Sequence, residues 1–490
     1  MNFSAEVLDA APPQRLALLE LSRAGGRREW SFGEVAERSA RLAGTLAARG
    51  ARRGDVVMTL IGNRPEWVLS MLACFRIGAV VLPCTEQLRS KDLALRVASA
   101  RPSLLIADER NADQLEGLDV PVLSVPDESL YAAEPAPVAE LAESDPCLIT
   151  FTSGTAGEPK GVLHAQRYLY GQRLQAERWL APAPGDLVWC TAASGWSKSA
   201  RNVFIAPWLR GAAALLHDAR FDPHERLELL EREQVAVLCM APTEYRVIAK
   251  RATLRALPHL RGMVAAGEAL NPEVLRAWEE VTGLAIRDGY GQTETGQLTG
   301  APLGEPARPG SMGPPLPGVG LSIQEGELLL DPATAPTFFL GYVGEQARRA
   351  ADGSWSVADR RRGGPWATGD RVTRDEDGWL YFEGRGDDVI VSAGYRIGPF
   401  EVESALVAHP AVAEAAAVAA PDEERGAVVR AVVVLRDGHD PTPQLARELQ
   451  DHVKAQTAPY KYPRIVDFAA ELPKTPSGKV KRAELRAGGA

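Results

Sequence analysis

The sequence predicts an α/β fold: a large N-terminal multi-subdomain α/β region with a β-rich portion, then a small C-terminal α+β domain. Three observations carry this. First, 490 residues exceed what one hydrophobic core ordinarily organises, so several domains are expected. Second, helical patterns and short apolar runs alternate over most of the chain. Apolar residues recur at helical spacing over 34–48, a strand reads at 55–61, a helix at 65–77 and another strand at 78–83. Buried strands follow at 103–106, 235–240 and 262–266. Such alternation predicts layers around mainly parallel sheets. Third, after about Asp387 the pattern restarts on a smaller scale, with a helix at 400–409, a strand at 428–434, a helix at 444–455 and a basic tail. Between these parts, 309–320 is dense in Gly and Pro and predicts loops and β-rich connections.

Composition narrows the function. The chain is 45% hydrophobic and 24% charged, as in a soluble globular protein. A net charge of −9 argues against broad nucleic-acid binding, which needs a basic surface. The five cysteines, Cys74, Cys84, Cys147, Cys190 and Cys239, form no C-x-x-C pair and read as reduced, buried thiols of a cytoplasmic protein. The first residues carry neither a basic nor an apolar signal region, and no apolar run reaches the ~20 residues of a membrane span. The seven histidines are scattered, with no zinc-ligand spacing.

The most informative stretch is TSGTAGEPKG at 152–161, which follows an apolar run at 148–151. Its glycines let backbone N–H groups turn toward an anion, its hydroxyls add donors, and Lys160 adds a cation. The loop is suited to phosphates, yet it is not the common nucleotide loop. That spacing requires a glycine five residues past Gly154, and Pro159 stands there.

Further motifs follow in order: GYGQTET at 289–295, WATGD at 366–370, GRGDDVI at 384–390, GYRIGPFEVE at 394–403 and PKTPSGK at 473–479. Together with the loop they resemble the adenylate-forming superfamily of acyl-CoA synthetases, peptide-synthetase adenylation domains and luciferases, over nearly the whole chain. The segments GWSKSA at 195–200, APTEYR at 241–246 and 394–403 are most similar to the medium-chain acyl-CoA synthetases. The resemblance implies ATP, Mg²⁺ and CoA as co-substrates and metal. A carboxylate attacks the α-phosphorus of ATP to give an acyl-adenylate and pyrophosphate, and a thiol then takes the acyl group and releases AMP. Bringing an anionic acid against a polyanion makes positioning and charge stabilisation the main catalytic tasks.

The resemblance also implies roles residue by residue. Thr152, Ser153, Gly154, Thr155, Gly157 and Lys160 match the loop around the β- and γ-phosphates. Thr293 is expected at the α-phosphate and Glu294 at Mg²⁺, which favours oxygen ligands. Asp370 is expected to bind the ribose hydroxyls, with Arg385 beside the ribose or phosphates and Phe382 on the same run. Arg396 is expected at the pyrophosphate end. Gly267, Glu268 and Ala269 are expected to line the adenine, with Tyr290 stacked on the base, and Gly289, Gly291 and Gln292 are expected among the ATP- and AMP-binding residues. Lys479 matches the lysine that bridges acid and α-phosphate, and its context resembles sites of regulatory lysine acylation. Asp387 matches the hinge between residues 1–386 and 387–490. About it the small domain turns between half-reactions, bringing Ala393 and Gly394 toward the CoA side.

The acid pocket is read from two residues. Gly291 stands where acetate-specific relatives carry a tryptophan, so an acid larger than acetate is expected: medium-chain, branched or small aryl. Trp196 resembles an aromatic wall, although a core tryptophan is an equal reading. Ala156 replaces the usual second threonine of the phosphate loop, a loss of about 1 kcal/mol if a hydrogen bond goes with it. The segment 321–330 is short, which predicts a trimmed surface hairpin. Two rivals stand beside the CoA ligase. One is a ligase that loads a phosphopantetheinyl carrier protein in trans. The other is a non-catalytic nucleotide-binding protein, which the retention of Lys479, Glu294, Asp370 and Arg385 disfavours. No residue distinguishes a luciferase-like oxidation.

Overall fold

The computed structural model spans the chain and describes all residues except 153–157, 268–271, 307, 351, 359, 387, 393–394, 423, 476–478 and 488–490, and the side chain of Arg396. Two seven-stranded sheets dominate the N-terminal region. In the first, the strands run edge to edge as Ile286–Gly289, Gly262–Ala266, Val237–Met240, Leu187–Cys190, Ala213–His217, Leu16–Leu21 and Arg27–Ser31. Only the last pair is antiparallel. In the second, the order is Gly341–Tyr342, Gly161–Ala165, Pro146–Phe151, Val80–Cys84, Val56–Leu60, Leu104–Asp108 and Val122–Val125. Its first two pairings are antiparallel and the rest parallel.

The elements lie within a few residues of the positions the sequence predicts, and their ends have local causes. The first long helix, Phe32–Ala48, starts earlier than expected because Ser31 and Glu34 form a reciprocal capping box. Helix Pro65–Ile77 ends at Gly78, whose φ of 74° is a left-handed stop. Between the two sheets lies one large core, which includes Trp67, Phe75, Trp179, Phe204 and Phe338. Full burial of such side chains stabilises the fold by about 1.5–3 kcal/mol each. The five cysteines are all buried and free.

A four-stranded antiparallel sheet, Leu321–Gln324, Glu327–Leu330, Trp366–Arg374 and Leu380–Arg385, forms the β-rich portion. Its first hairpin turns on Glu325 and Gly326, with φ of 49° and 83°. Two left-handed residues make the tightest hairpin connection, in keeping with the short segment at 321–330. From Ile390 onward the chain builds a core of its own, from Val402, Leu406, Val429, Val433, Leu449 and Val453 among others. There, strands Val412–Asp422, Gly426–Leu435 and Ile465–Phe468 pack with helices Pro399–Val407 and Pro443–Gln456. Among the described residues no helix is long and apolar enough to cross a membrane.

Candidate active site

The candidate site is built from the C-terminal end of the first sheet, the loop base at Thr152 and Lys160, the antiparallel sheet and the segment that carries Lys479. Asp370 is its best-connected residue. It is 4% exposed, and strand register sets it opposite Arg385. Tyr290 Oη donates to its Oδ2 at 2.5 Å, and Gln292 Nε2 donates to the same oxygen at 2.8 Å. Arg385 Nη1 lies 3.6 Å from Oδ1. Burial raises the Asp370 pKa, while the Tyr290 hydrogen bond and the charges of Arg385 and Lys479 pull it back. Lys479 is thus among the charges that act on Asp370, although 109 positions of sequence separate them. It stands on a turn closed by Thr475 N to Lys479 O at 2.8 Å and Lys479 N to Thr475 Oγ1 at 3.2 Å. Phe382 and Tyr290 pack in one small apolar cluster with Met312 and Val372.

Thr293 and Glu294 occupy a turn between the short paired strands Gly291–Gln292 and Gly296–Gln297. Phe339 N donates to Glu294 O at 2.9 Å, and Thr337 Oγ1 donates to Thr295 O at 2.5 Å. Tyr342 Oη donates to Glu294 Oε1 at 2.9 Å. The ring of Tyr342 also lies 5.1 Å from Lys160 Nζ, so one tyrosine links the carboxylate to the loop lysine. The loop itself springs from the hairpin of Pro146–Phe151 and Gly161–Ala165. Thr152 N to Lys160 O at 2.9 Å and Lys160 N to Thr152 Oγ1 at 3.0 Å pin its base. The ion pair of Lys160 with Glu345, at 2.8 Å and half exposed on both sides, contributes little.

Gly267 ends its strand with φ 99°, and a Cβ there would lie 3.1 Å from Lys198 Nζ. Lys198 Nζ donates to Ala266 O at 2.7 Å. Trp196 is partly buried, whereas Trp67, Trp179, Trp189 and Trp278 are fully buried. Arg396 lies on strand Tyr395–Ile397. Ser153, Gly154, Thr155, Ala156, Gly157, Glu268, Ala269, Asp387, Ala393 and Gly394 fall outside the described residues.

Gly291 has a backbone reason of its own. A Cβ there would lie 1.9 Å from the carbonyl oxygen of Gly296 and 2.9 Å from Gln297 Cα. The glycine is needed for the close approach of two backbones, so grafting a tryptophan would displace the turn that carries Thr293 and Glu294. It would not simply fill a pocket. Several residues of the site carry no motif and were not read from the sequence: Tyr342, Asp288, His164 and Arg201. Lys198 lies inside the segment 195–200, and its position there was the available signal. Burial pushes Asp288 up to about 8, against the opposing pull of the Gly289 N–H and Lys198.

Residues 6–335 match the AMP-binding enzyme family and residues 401–479 match the AMP-binding enzyme C-terminal domain. This chain belongs to the AMP-binding enzyme family. It is 38% identical over 503 residues to the acyl-CoA ligase YtcI of Bacillus subtilis (strain 168), covering 97% of this chain and 94% of that one. It is 38% identical over 530 residues to the mitochondrial acyl-coenzyme A synthetase ACSM3 of Mus musculus, covering 99% and 90%. The fold matches the anthranilate CoA ligase AuaEII in complex with anthranoyl-AMP, with TM-score 0.87, 27% identity and coverage of 99% and 97%. This AMP-binding enzyme is an acyl-CoA synthetase, an AMP-forming acid–thiol ligase that uses ATP, Mg²⁺ and CoA.

Proposed function

We propose that the enzyme adenylates a carboxylic acid larger than acetate at the site gathered around Asp370, and that Lys479 serves the first half-reaction. The observation that carries this is the meeting of Tyr290, Gln292, Arg385 and the Lys479 charge on one buried carboxylate. A carboxylate held at this edge of the site suits the two hydroxyls of a ribose. Lys479 then lies where its cation offsets charge as the acid attacks the α-phosphorus, with Thr293 at the α-phosphate. Lys160 and the loop it closes hold the departing pyrophosphate.

Glu294 suits Mg²⁺, because it offers a hard carboxylate in a half-buried turn beside the loop. When bound there, the ion neutralises phosphate charge. The turn's backbone bonds from Phe339 and Thr337 keep Glu294 and Thr293 in fixed relation. Asp387 is the hinge in this reading. The separate core that begins at Ile390 supports a small domain able to turn as a unit and withdraw Lys479 before CoA attacks. The buried, unpaired thiols support a cytoplasmic setting. The resemblance to acyl-CoA synthetases and to an anthranilate ligase supports alkyl or aryl acids.

The test is a panel of alkyl, branched and aryl acids, scored by AMP release with CoA, with a phosphopantetheinyl carrier protein, and with neither. Acceptor-dependent AMP release with CoA for an acid of more than two carbons is expected. Release with acetate alone, or with the carrier only, would sink the assignment.

A further inference from the structure

The small C-terminal region touches helix Pro242–Arg251 of the large one through a hydrogen bond. Lys250, in the last turn of that helix, donates from Nζ to the carbonyl oxygen of Ala413 at 3.1 Å. That oxygen is available for a local reason. Along the antiparallel pair Val412–Asp422 and Gly426–Leu435, Val412 faces Leu435 and Glu414 faces Val434, so Ala413 has no residue opposite it. A bulged residue of this kind leaves the ladder and bends its strand. Arg436 fixes the start of the bulge, through N to Ala411 O and Nε to Val412 O, both at 2.9 Å. A lysine in the last turn of a helix is favourable to the helix dipole by itself. The bulge whose carbonyl meets it is not explained by that dipole.

From this contact, short steps lead to Lys479. Glu414, next to Ala413, pairs with Lys474 Nζ at 2.6 Å. Lys474 and Val480 form an antiparallel bridge that flanks Lys479. Thr475 bonds Lys479 at 2.8 and 3.2 Å. On the other side, the helix of Lys250 follows strand Val237–Met240 directly, in the interior of the first sheet. Lys250 is therefore tied to the sheet whose C-terminal end builds the site. Ala413 is tied to the segment that carries the lysine assigned to adenylation.

We propose that Lys250 is a positioning residue for adenylation: its bond to the Ala413 carbonyl holds the small domain in the pose that brings Lys479 to the site. This rests on the reading, given above, that the small domain turns about Asp387 between half-reactions. The bond belongs to one pose, so it weights that pose against the other. An exposed hydrogen bond from a cation shifts such a balance by roughly three- to tenfold. That is enough to favour adenylation and too little to lock the domain, which stays free to turn before CoA attacks.

Lys250→Met removes the donor and keeps the chain length, whereas Lys250→Arg keeps a cationic donor. Lys250 is exposed, so neither substitution disturbs the core. Both variants are compared with the wild type in the two half-reactions, with the acid that releases most AMP in the panel above. Acid-dependent ATP–pyrophosphate exchange reads the first half-reaction. Thioester formation from supplied acyl-adenylate and CoA reads the second. Lys250→Met should slow exchange roughly three- to tenfold in kcat, with KM for ATP unchanged and thioester formation equal or faster. Lys250→Arg should retain more exchange than Lys250→Met. Exchange at the wild-type rate in Lys250→Met, or equal loss in both half-reactions, overturns the proposal. If no acid supports exchange, or Lys479→Ala lowers both half-reactions equally, the reading of the site has failed, and the pose itself then decides for Lys250. Val281 and Asp440 are exposed and the five native cysteines are buried, so Val281→Cys and Asp440→Cys place one spin label on each region. With ATP and Mg²⁺, the label distances in Lys250→Met must shift or broaden against the same labelled protein with Lys250 intact. Identical distances overturn the proposal.

Discussion

Two buried polar regions, one around Asp370 and one around Arg201, are opposites in how their polar groups are satisfied. Asp370 is buried but surrounded: two donors share one oxygen and an arginine faces the other. Arg201 is equally buried, with Tyr168 beside its guanidinium, yet among the described residues its Nε and Nη1 and both amide atoms of its neighbour Asn202 make no hydrogen bond. A group whose partners are built into the chain serves a ligand that never changes. The Asp370 carboxylate is thus held in place by the chain itself.

The largest expected effect lies at Lys479, whose charge acts on Asp370. Lys479→Ala should lower AMP formation by about 10²–10⁴-fold, the range for loss of a group that stabilises transition-state charge. Thioester formation from supplied acyl-adenylate should be spared. Equal loss in both half-reactions would remove Lys479 from the adenylation step.

A second test concerns the turn that carries Thr293 and Glu294. With a Cβ 1.9 Å from the Gly296 carbonyl oxygen, Gly291→Ala should displace Thr293 and Glu294. Turnover should fall on the order of tenfold or more, as for small misplacements of reacting groups, and by the same factor for every acid. A change in acid preference with turnover intact would return Gly291 to the role of pocket lining.

The same contrast explains what was legible in the sequence. Strands such as Gly262–Ala266 and helices such as Pro65–Ile77 were readable because hydrophobic periodicity and Gly or Pro punctuation are local signals. Asp370, Glu294 and Lys479 lie in short motifs, and their proposed nucleotide roles rest on those motifs. Tyr342 was not, because its link between Glu294 and Lys160 depends on a pairing of Gly341–Tyr342 with Gly161–Ala165. Arg201 was hidden more deeply. In sequence it is one arginine among many, and only the fold shows its burial. Gly291 was read as space, and the close backbone contact that a Cβ there would make is something residue type alone does not show.

The smallest expected effect lies at Asp288, on the strand end between the two regions, and it is read through pH. An unfolded aspartate titrates near ~4, whereas burial holds Asp288 at about 8. Between those values the folded protein keeps a proton that the unfolded chain has released. The resulting stability is fully present below the unfolded pKa and is lost as pH rises through about 8. Asp288→Asn removes the titration while keeping a neutral side chain of similar size. The stability of wild type relative to Asp288→Asn should therefore decline steadily from pH 5 to pH 8, measured as urea midpoints on the two proteins side by side. A flat difference would mean that Asp288 is ionised in the fold and paired with Lys198. The strand end would then resemble the satisfied region around Asp370, and the boundary between the two kinds of site would lie nearer to Arg201.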